Sequence, residues 1–197
     1  MTALRLVLGD QLTRGIAALR DHAAHALITF GGEDPLNHSC WAIENLSPAL
    51  EGIQISVVVG PAHPDPAAVV RAARTHAIEV ISAPPSLVTC VQSADLALSA
   101  GGGTCYELAA AGVPTLAIAI EPHQDALIDA LARHGACVKL GAGFEIDVAR
   151  AREAVRRLAG DAESRRAMRD AQVRLFPGPG AARAVQAIQA AFRKRVS

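Results

Sequence analysis

Short apolar runs without alternation between apolar and polar positions recur over residues 26 to 140, and glycine or proline turns separate them. Runs of this kind are typical of strands covered on both faces, as in a parallel sheet whose crossovers are helices. The predicted strands are Ala26 to Phe30, Ile53 to Val59, Ala77 to Ile81, Leu96 to Ala100, Thr115 to Ile120 and Ala136 to Leu140. The predicted crossover helices are Asn37 to Leu50, Pro66 to His76, Ser86 to Ser93, Thr104 to Ala111 and His123 to His134, the last with Ala126, Leu127, Ala130 and Leu131 facing inward. This alternation predicts a doubly wound, Rossmann-like α/β fold with a mostly parallel six-stranded sheet.

The two ends of the chain follow other patterns. LRLVLGDQL, near the N terminus, predicts a short strand, and a helical pattern follows from Gly15 to His25. The C-terminal pattern is purely helical, with predicted helices at Asp147 to Leu158, Ala162 to Leu175 and Ala181 to Arg195. The sequence therefore predicts an N-terminal segment of residues 1 to 25 and one domain of residues 26 to 197.

Candidate chemistry lies where two predicted strands end in glycine turns, at Gly31 to Pro35 and at Gly101 to Gly103. Open α/β sheets bind ligands at the carboxyl ends of their strands. After Gly103, Thr104 and the first free helical amides offer donors and a positive dipole end, which suits an anion. Glu107 lies about one helical turn further on the same face, where its carboxylate can accept from two sugar hydroxyls. The alternative is a simple tight turn in which Thr104 and Glu107 form a capping box.

Other catalytic signatures are absent or weak. No GxGxxG follows the first strand and no GxxxxGK[ST] occurs, which argues against nicotinamide-binding and P-loop sites. His22 and His25 have alanine neighbours and predict surface or structural roles, whereas His123 follows a strand end and either faces a ligand or caps the next helix. On that helix, Asp125 and Asp129 indicate a solvated face rather than an acid/base pair.

The composition narrows the class of protein. Apolar residues make up 51% of the chain but aromatic residues only 3%, so the core is aliphatic, as in many α/β folds. No apolar run approaches the ~20 residues of a membrane span and no signal-peptide pattern occurs, which predicts a cytoplasmic protein. The four cysteines show no CxxC pairing, so neither a zinc site nor a disulfide framework is predicted.

The net charge is zero but unevenly placed. From Arg150 to the C terminus, 12 Lys/Arg face 4 Asp/Glu, a net charge of +8 that leaves −8 for residues 1 to 149. This asymmetry suits an acidic partner or peripheral contact with an anionic membrane surface. Alternatively, the arginines form a solvated face or pack on another domain. Few aromatic residues interleave with them, which argues against nucleic acid as a partner.

Three motifs carry a resemblance to a known family: GGEDP at Gly31 to Pro35, GGGTCYELAAAGVP at Gly101 to Pro114, and EPHQ at Glu121 to Gln124. Together they resemble the C-terminal domain of the two-domain GT-B glycosyltransferases of family 28. ITFGGEDPLN also resembles the matching stretch of the pseudaminic-acid pathway hydrolases, which release UDP from a UDP-linked diacetamido-trideoxy sugar. The resemblance extends over about Ala26 to Phe192.

The resemblance implies a UDP-sugar ligand bound without a metal or other cofactor, with helix dipole and amides taking the diphosphate charge. Gly31 and Gly32 would approach the diphosphate, as would Gly102, Gly103 and Thr104. Glu107 would accept from the ribose hydroxyls, and His123 with Gln124 would face the sugar or the distal phosphate. The segment from Leu87 to Val91 would meet the uracil. His123 is then the one local candidate for a catalytic group, on the leaving-group side.

Three departures from the family pattern affect these expectations. Glu33 stands where the family commonly has serine, and its carboxylate beside a phosphate would repel it. Gly103 stands where a hydroxyl residue is frequent. Residues 1 to 25 lack the GxGH motif of the preceding domain, so the resemblance implies half an enzyme, with residues 1 to 25 replacing or remaining from a linker. The expected partner is a separate N-terminal-domain chain or a second copy. The alternatives are a non-catalytic nucleotide-sugar-binding subunit of a split enzyme and a degenerate remnant.

Overall fold

The computed structural model describes residues 19–177 together with Val185 and Gln189. Within this part, six strands form one sheet in the spatial order β3-β2-β1-β4-β5-β6, and every neighbouring pair is parallel. The strands are β1 (His25–Thr29), β2 (Gln54–Val59), β3 (Glu79–Ser82), β4 (Leu96–Ala100), β5 (Thr115–Ala119) and β6 (Val138–Ala142). The predicted six-stranded α/β fold is confirmed.

Helices connect and extend the strands. They are α1 (His38–Leu46), α2 (Pro66–Thr75), α3 (Val88–Ser93), α4 (Gly103–Ala110), α5 (Pro122–Arg133), α6 (Val148–Gly160) and α7 (Ala162–Leu175), with a 3₁₀ turn at Ser47–Ala49 after α1. Proline at position 48 explains why α1 ends before this turn, because proline lacks the amide that would continue the helix.

The chain reverses its direction of winding between β1 and β4. From β1 it proceeds outward to β2 and β3, crosses back to β4, and then proceeds outward the other way to β5 and β6. Because crossovers are right-handed, α1 and α2 cover one face of the sheet while α4 and α5 cover the other. The buried side chains agree with this arrangement: Ile28 and Leu98 pack on the α1 side, whereas Leu27 and Ala97 pack with residues of α3 and α4. The carboxyl ends of β1 and β4 therefore border a crevice between the two helical layers.

Two buried polar side chains fasten the entry to β1. The Asp95 carboxylate accepts from Arg20 at 2.7 Å and from the amides of Ala24 and His25 at 2.8 and 3.0 Å. The Arg165 guanidinium is fully buried and donates to the carbonyls of residues 158, 159, 20 and 21. Burial lowers the pKa of Arg165, and nearby carboxylates oppose that shift. This arginine is therefore neither on a solvated face nor in contact with another domain.

Some sequence predictions differ from the structure. Of the predicted helix from Gly15 to His25, residues 19 to 24 are not helical and His25 begins β1, while residues 1 to 18 and the predicted LRLVLGDQL strand lie outside the described residues. The inward face predicted for α5 is correct only in part: Leu131 is buried and Leu127 packs on the core, but Gln124 and Ile128 are also buried and Ala126 is exposed. Of the predicted helix at Ala181 to Arg195, only Val185 and Gln189 are described. No helix of the described residues is long and apolar enough to cross a membrane.

Candidate functional site

The two glycine turns face each other across the crevice. Thr29 of β1 is aligned with Ser99 of β4 in the parallel ladder, so Gly31 and Gly101 follow their strands at the same level. We refer to residues 31–34 as the first glycine turn and residues 101–103 as the second glycine turn. Each leads into a helix whose N terminus lies at this edge of the sheet.

The second glycine turn leaves the N terminus of α4 without a cap. Its N-cap residue is Gly102, and no side chain of the described residues caps the helix. Cys105 donates its amide to Gly102 O at 3.1 Å, whereas Gly103 and Thr104 lie within the first turn, ahead of it. The capping-box alternative is wrong, because Thr104 lies inside the helix rather than at its N-cap. Free amides and a positive helix end therefore face the crevice.

A buried glutamine supports the second glycine turn. Gln124 is 7% exposed, and its Oε1 accepts from the Ile120 amide at 3.0 Å. Since this amide N–H requires an acceptor, the Nε2 group must face the other way, and it lies 3.5 Å from where a Cβ on Gly102 would be. No acceptor for Nε2 is found among the described residues. Nε2 is not among the buried unpartnered atoms of the described residues, so this donor on a mostly buried side chain is open to solvent beside the turn, which suits an anionic ligand.

The close approach of α5 explains the first glycine of this turn. A Cβ on Gly101 would lie 2.3 Å from Ile128 Cδ1 and 3.1 Å from Gln124 Cβ. Only glycine lets α5 pack this closely, and that packing is what brings Gln124 to the turn.

The first glycine turn is closed by an internal carboxylate. Asp34 is 2% exposed and accepts from the amides of His38 and Ser39, each at 2.8 Å. Burial acts to raise the pKa of Asp34, but the hydrogen bonds from His38 and Ser39 outweigh it and hold the pKa below its usual value. Asp34 is therefore ionised at neutral pH, and it occupies the α1 end where an external anion would bind.

Two buried histidines flank this carboxylate. His63 Nδ1 accepts from the Asp65 amide at 3.1 Å, so its protonated Nε2 faces Asp34 Oδ2 at 3.5 Å. His38 Nδ1 lies 3.7 Å from Asp34 Oδ1, and its Nε2 donates to Gly143 O at 3.2 Å. The loops after β1, β2 and β6 are thereby joined around one carboxylate.

Close backbone contact fixes the first turn from behind. A Cβ on Gly60, at the end of β2, would lie 2.4 Å from Gly32 O and 2.5 Å from Gly31 O. Ala62 donates its amide to Gly32 O at 3.0 Å. In front of the turn the space is open, because a Cβ on Gly31 or Gly32 would meet nothing within 4 Å.

The remaining sequence-predicted residues lie at or near the same edge. Glu107 is half-buried on α4, His123 is exposed at the second position of α5, and Glu33 is exposed in the first turn. The N-cap of α5 is Glu121, so His123 does not cap that helix. Leu87 immediately precedes α3 after the carboxyl end of β3. Asp125 and Asp129 both pair with Lys139 at 2.8 Å and form no acid/base pair with each other.

Sequence reasoning missed five residues of this region: Thr29, and the group around the first glycine turn formed by Asp34, His38, His63 and Phe144. Phe144 is 49% exposed and stacks on the His38 ring, with centroids 4.3 Å apart and an interplanar angle of 3°. The only local signal was the Asp-Pro pair in the first turn, since His63 and Phe144 come from loops distant in sequence. The Thr29 hydroxyl is buried at the end of β1 without a partner in the described part.

Neither metal ligation nor thiol chemistry is indicated at this edge. Among the described residues, no group of three or more His, Cys, Asp or Glu side chains could hold a metal ion. Burial raises the pKa of the Cys105 thiol to about 12, so it stays protonated at neutral pH.

A separate cavity of about 580 Å³ lies between the start of β6 and helices α6 and α7. Its wall includes Arg150, Arg157 and Arg174, but Glu153 lies among them and the three arginines are exposed. It is remote from both glycine turns.

Comparison with known proteins identifies the family to which the fold belongs. The family model of the glycosyltransferase family 28 C-terminal domain matches residues 27–185. The chain belongs to this family. As a family 28 C-terminal domain, it is 29% identical over 136 residues to the spore coat polysaccharide biosynthesis protein SpsG of Bacillus subtilis (strain 168). That alignment covers 68% of this chain and 40% of SpsG, so the chain spans well under half of that relative.

Solved structures share the fold of this family 28 domain. MurG of Acinetobacter baumannii has a TM-score of 0.58 at 18% identity, covering 86% of this chain and 52% of MurG. The glycosyltransferase SsfS6 of Streptomyces sp. SF2575, solved with thymidine diphosphate, has a TM-score of 0.60 at 18% identity, covering 92% of this chain and 45% of SsfS6. At these identities the likeness establishes the fold.

Proposed function

We propose that this family 28 domain binds the UDP moiety of a nucleotide sugar in the crevice between β1 and β4. The observation that carries the proposal is the second glycine turn, where an uncapped helix N terminus meets Gln124 Nε2, a donor without an acceptor among the described residues. Backbone amides and a side-chain amide, two kinds of donor, meet beside this turn, and such a site suits an anion such as a diphosphate. The thymidine diphosphate bound to SsfS6 supports a nucleoside diphosphate as the ligand class.

The direction of α4 indicates where the other groups of the ligand would lie. With the diphosphate at Gly102, Gly103 and Thr104, the ribose hydroxyls reach Glu107 one turn along the helix. The uracil extends toward residues 87–91, where backbone groups recognise it. Gln124 and His123 at the start of α5 lie on the side of the leaving diphosphate and the sugar.

Binding is proposed to need no divalent metal, because the helix dipole and amides of α4 supply the positive potential. Calorimetry with UDP in the presence of a chelator tests both statements. We expect heat of binding with EDTA present and no increase on adding magnesium. No heat at millimolar UDP, or heat only with magnesium, contradicts the proposal.

We further propose that the domain serves an enzyme acting at the anomeric carbon of a UDP-sugar in cell-surface polysaccharide biosynthesis. The resemblance of ITFGGEDPLN to pseudaminic-acid pathway hydrolases favours UDP-sugar hydrolysis, and the family favours glycosyl transfer. The name of SpsG places that relative in polysaccharide biosynthesis. In either reaction, this domain holds the nucleotide and a second domain supplies the base that activates water or an acceptor hydroxyl.

A nucleotide-sugar-binding subunit is the second candidate function. The histidines beside the first glycine turn favour it, because His38 and His63 are buried against Asp34 and are not placed to take a proton from a nucleophile. The partner in that case is a separate chain with the GxGH-bearing domain, or a second copy of this chain. The arginine-lined cavity would suit an additional anionic partner or membrane surface.

A further inference from the structure

The cavity between the start of β6 and helices α6 and α7 lies toward the edge of the sheet opposite the crevice. Thr115, the first residue of β5, donates its amide to Met168 Sδ at 3.2 Å, so α7 lies against the amino ends of the strands. Gln172 likewise donates to the carbonyls of Val113 and Ala136, which precede β5 and β6. The cavity volume of about 580 Å³ is within the range of small-molecule sites, roughly 300 to 1,000 Å³.

The inner wall of this cavity is apolar. It is formed by side chains from three elements: the buried Leu158, Met168 and Ala171, and the half-buried Val138. Ala167 of α7 also lines the cavity but is exposed, so it lies where the cavity opens to solvent. Such a wall favours contact with an apolar part of a ligand.

The outer wall is basic. Arg150 and Arg157 lie about two turns apart on one face of α6, and Arg174 lines the cavity from α7. We refer to these three residues as the rim arginines. Among the described residues that line the cavity, Glu153 is the one carboxylate, so three arginines against one glutamate give a net charge of +2.

The rim arginines lack the partners that other arginines of the same helices have. Arg165 and Arg169 donate to backbone carbonyls, and Arg166 pairs with Asp21 at 2.8 Å. Within residues 19–177, by contrast, no rim arginine lies within ion-pair distance of a carboxylate. Like charges around one recess repel each other, and an anion bound between them relieves that repulsion.

We propose that this cavity is a second ligand site and that it binds an aliphatic anion. A phosphate or carboxylate group contacts the rim arginines, and a hydrocarbon chain lies along the apolar inner wall. The anion is either a membrane lipid or a free amphiphile, since both join a compact charged group to a hydrocarbon chain. The site does not depend on UDP binding, because no residue of either glycine turn lines the cavity.

Separate variants test the rim and the inner wall. Arg157→Gln and Arg174→Gln each remove one rim charge. Arg156→Gln is the matched control, because Arg156 is exposed on the same helix but does not line the cavity. Ala167→Leu adds bulk to the cavity from an exposed position, so the buried core is unchanged. We expect all four variants to fold, which thermal melting checks.

The probes separate the charged group from the chain. Calorimetry on the full chain, with saturating UDP present, compares octyl phosphate below its critical micelle concentration with inorganic phosphate and with octanol. We expect octyl phosphate to bind at least about ten-fold more tightly than either. Each rim variant should weaken octyl phosphate by about three-fold and Ala167→Leu by about ten-fold, whereas Arg156→Gln should leave its affinity unchanged.

Four results would overturn the proposal. Inorganic phosphate bound as tightly as octyl phosphate would indicate an adventitious ion only. A loss in Arg156→Gln equal to that in Arg157→Gln would indicate non-specific attraction to the helix. An unchanged affinity in Ala167→Leu would show that the chain is not in the cavity. Octyl phosphate that binds only when UDP is omitted would lie in the crevice.

Vesicles that contain phosphatidylglycerol identify the source of the anion. Vesicle binding that Ala167→Leu weakens supports a membrane lipid, and vesicle binding that is absent or unaffected by this variant supports a free amphiphile. Poly-glutamate that displaces octyl phosphate at a lower concentration would indicate an acidic polypeptide and would overturn the assignment. UDP is titrated alone in a separate run, so a chain that binds no UDP contradicts the proposed function and leaves this site standing.

Discussion

At the scale of single residues, Glu107 is the clearest test of how the crevice binds its ligand. Glu107 is half-buried in the second turn of α4, and the proposed function makes it the acceptor for two ribose hydroxyls. Hydrogen bonds to a charged group contribute about 1.5 to 3 kcal/mol, or roughly ten-fold or more in affinity. Glu107→Ala should therefore weaken UDP about ten-fold while leaving a 2′,3′-dideoxy analogue unaffected, as calorimetry with both ligands would measure.

The dideoxy analogue also serves as the control for Glu107→Ala. Equal weakening of UDP and of the analogue would mean that Glu107 only stabilises α4 and its surroundings. Glu107→Gln, which keeps one side-chain acceptor, should give an intermediate loss for UDP.

Asp34 is a residue whose contribution should appear in the pH dependence of stability. Its folded pKa is lowered, so the stability it provides is present above its unfolded pKa and is lost as pH falls through the folded value. Asp34→Asn puts an amide donor against one of the backbone amides of α1 and should cost about 2 to 4 kcal/mol at neutral pH. Urea unfolding from pH 7 down to pH 3 should show this difference shrinking below about pH 4.

Asp65→Asn is the matched control for Asp34, because Asp65 also caps a helix but is exposed. We expect Asp65→Asn to lower the free energy of unfolding by about 1 kcal/mol, which is the usual contribution of a helix cap. If Asp34→Asn behaves like Asp65→Asn, the buried carboxylate does not organise the first glycine turn.

At the scale of elements, close packing of strand ends determines the shape of the crevice. Gly60 ends β2 directly behind the first glycine turn, and an alanine there would place Cβ 2.4 Å from Gly32 O. Backbone atoms cannot move aside as a flexible side chain can, so the turn must shift. We expect Gly60→Ala to destabilise the fold by about 1 to 3 kcal/mol in urea unfolding.

Gly160→Ala provides the comparison for Gly60, because nothing lies within 4 Å of its Cβ position and its φ is not positive. It should stay within about 0.5 kcal/mol of the wild type. A similarly small effect at Gly60 would show that the first turn is not held by β2.

The sequence predicted elements better than it predicted buried polar contacts. Short and largely apolar runs predicted the strands, and all six were found, with β4 at the predicted bounds Leu96–Ala100. The α5 face was predicted only in part: Leu131 is buried as predicted, but Gln124, whose Oε1 accepts from the Ile120 amide, and Ile128 are buried in place of Ala126 and Ala130. The periodicity of apolar residues does not predict the burial of a hydrogen-bonded polar side chain such as Gln124.

The first glycine turn illustrates the same limit at the candidate site. Its glycines were identified, but the carboxylate that closes α1 was not, because a buried Asp34 depends on His63 from another loop. The second turn was predicted with its helix because strand, glycines and Thr104 are contiguous. Contiguous residues therefore predict a turn whose backbone can bind a ligand, whereas the charges around that turn depend on contacts between residues that are distant in sequence.

At the scale of the whole molecule, turnover requires more than the crevice provides. Catalysis at an anomeric carbon needs a base within hydrogen-bond reach of the attacking oxygen and walls that exclude bulk water. In the described part, His38 and His63 are buried against Asp34, and His123 is exposed at the start of α5, which the proposed function places on the leaving-group side. At that position His123 would stabilise departing charge rather than activate a nucleophile.

We therefore expect the purified chain to bind UDP-sugars but to hydrolyse them negligibly, and to become active when a GxGH-bearing N-terminal domain is added in trans or by fusion. Incubation with UDP-N-acetylhexosamines, with UDP release followed by chromatography, measures both states. His123→Ala is the informative variant, since it should reduce the turnover of the combined protein while leaving UDP affinity nearly unchanged. Robust release by the chain alone, proportional to its concentration and lost in His123→Ala, would instead make His123 a catalytic residue of a self-sufficient hydrolase. In that case the base acts from the start of α5, and the second domain is not needed for the chemistry.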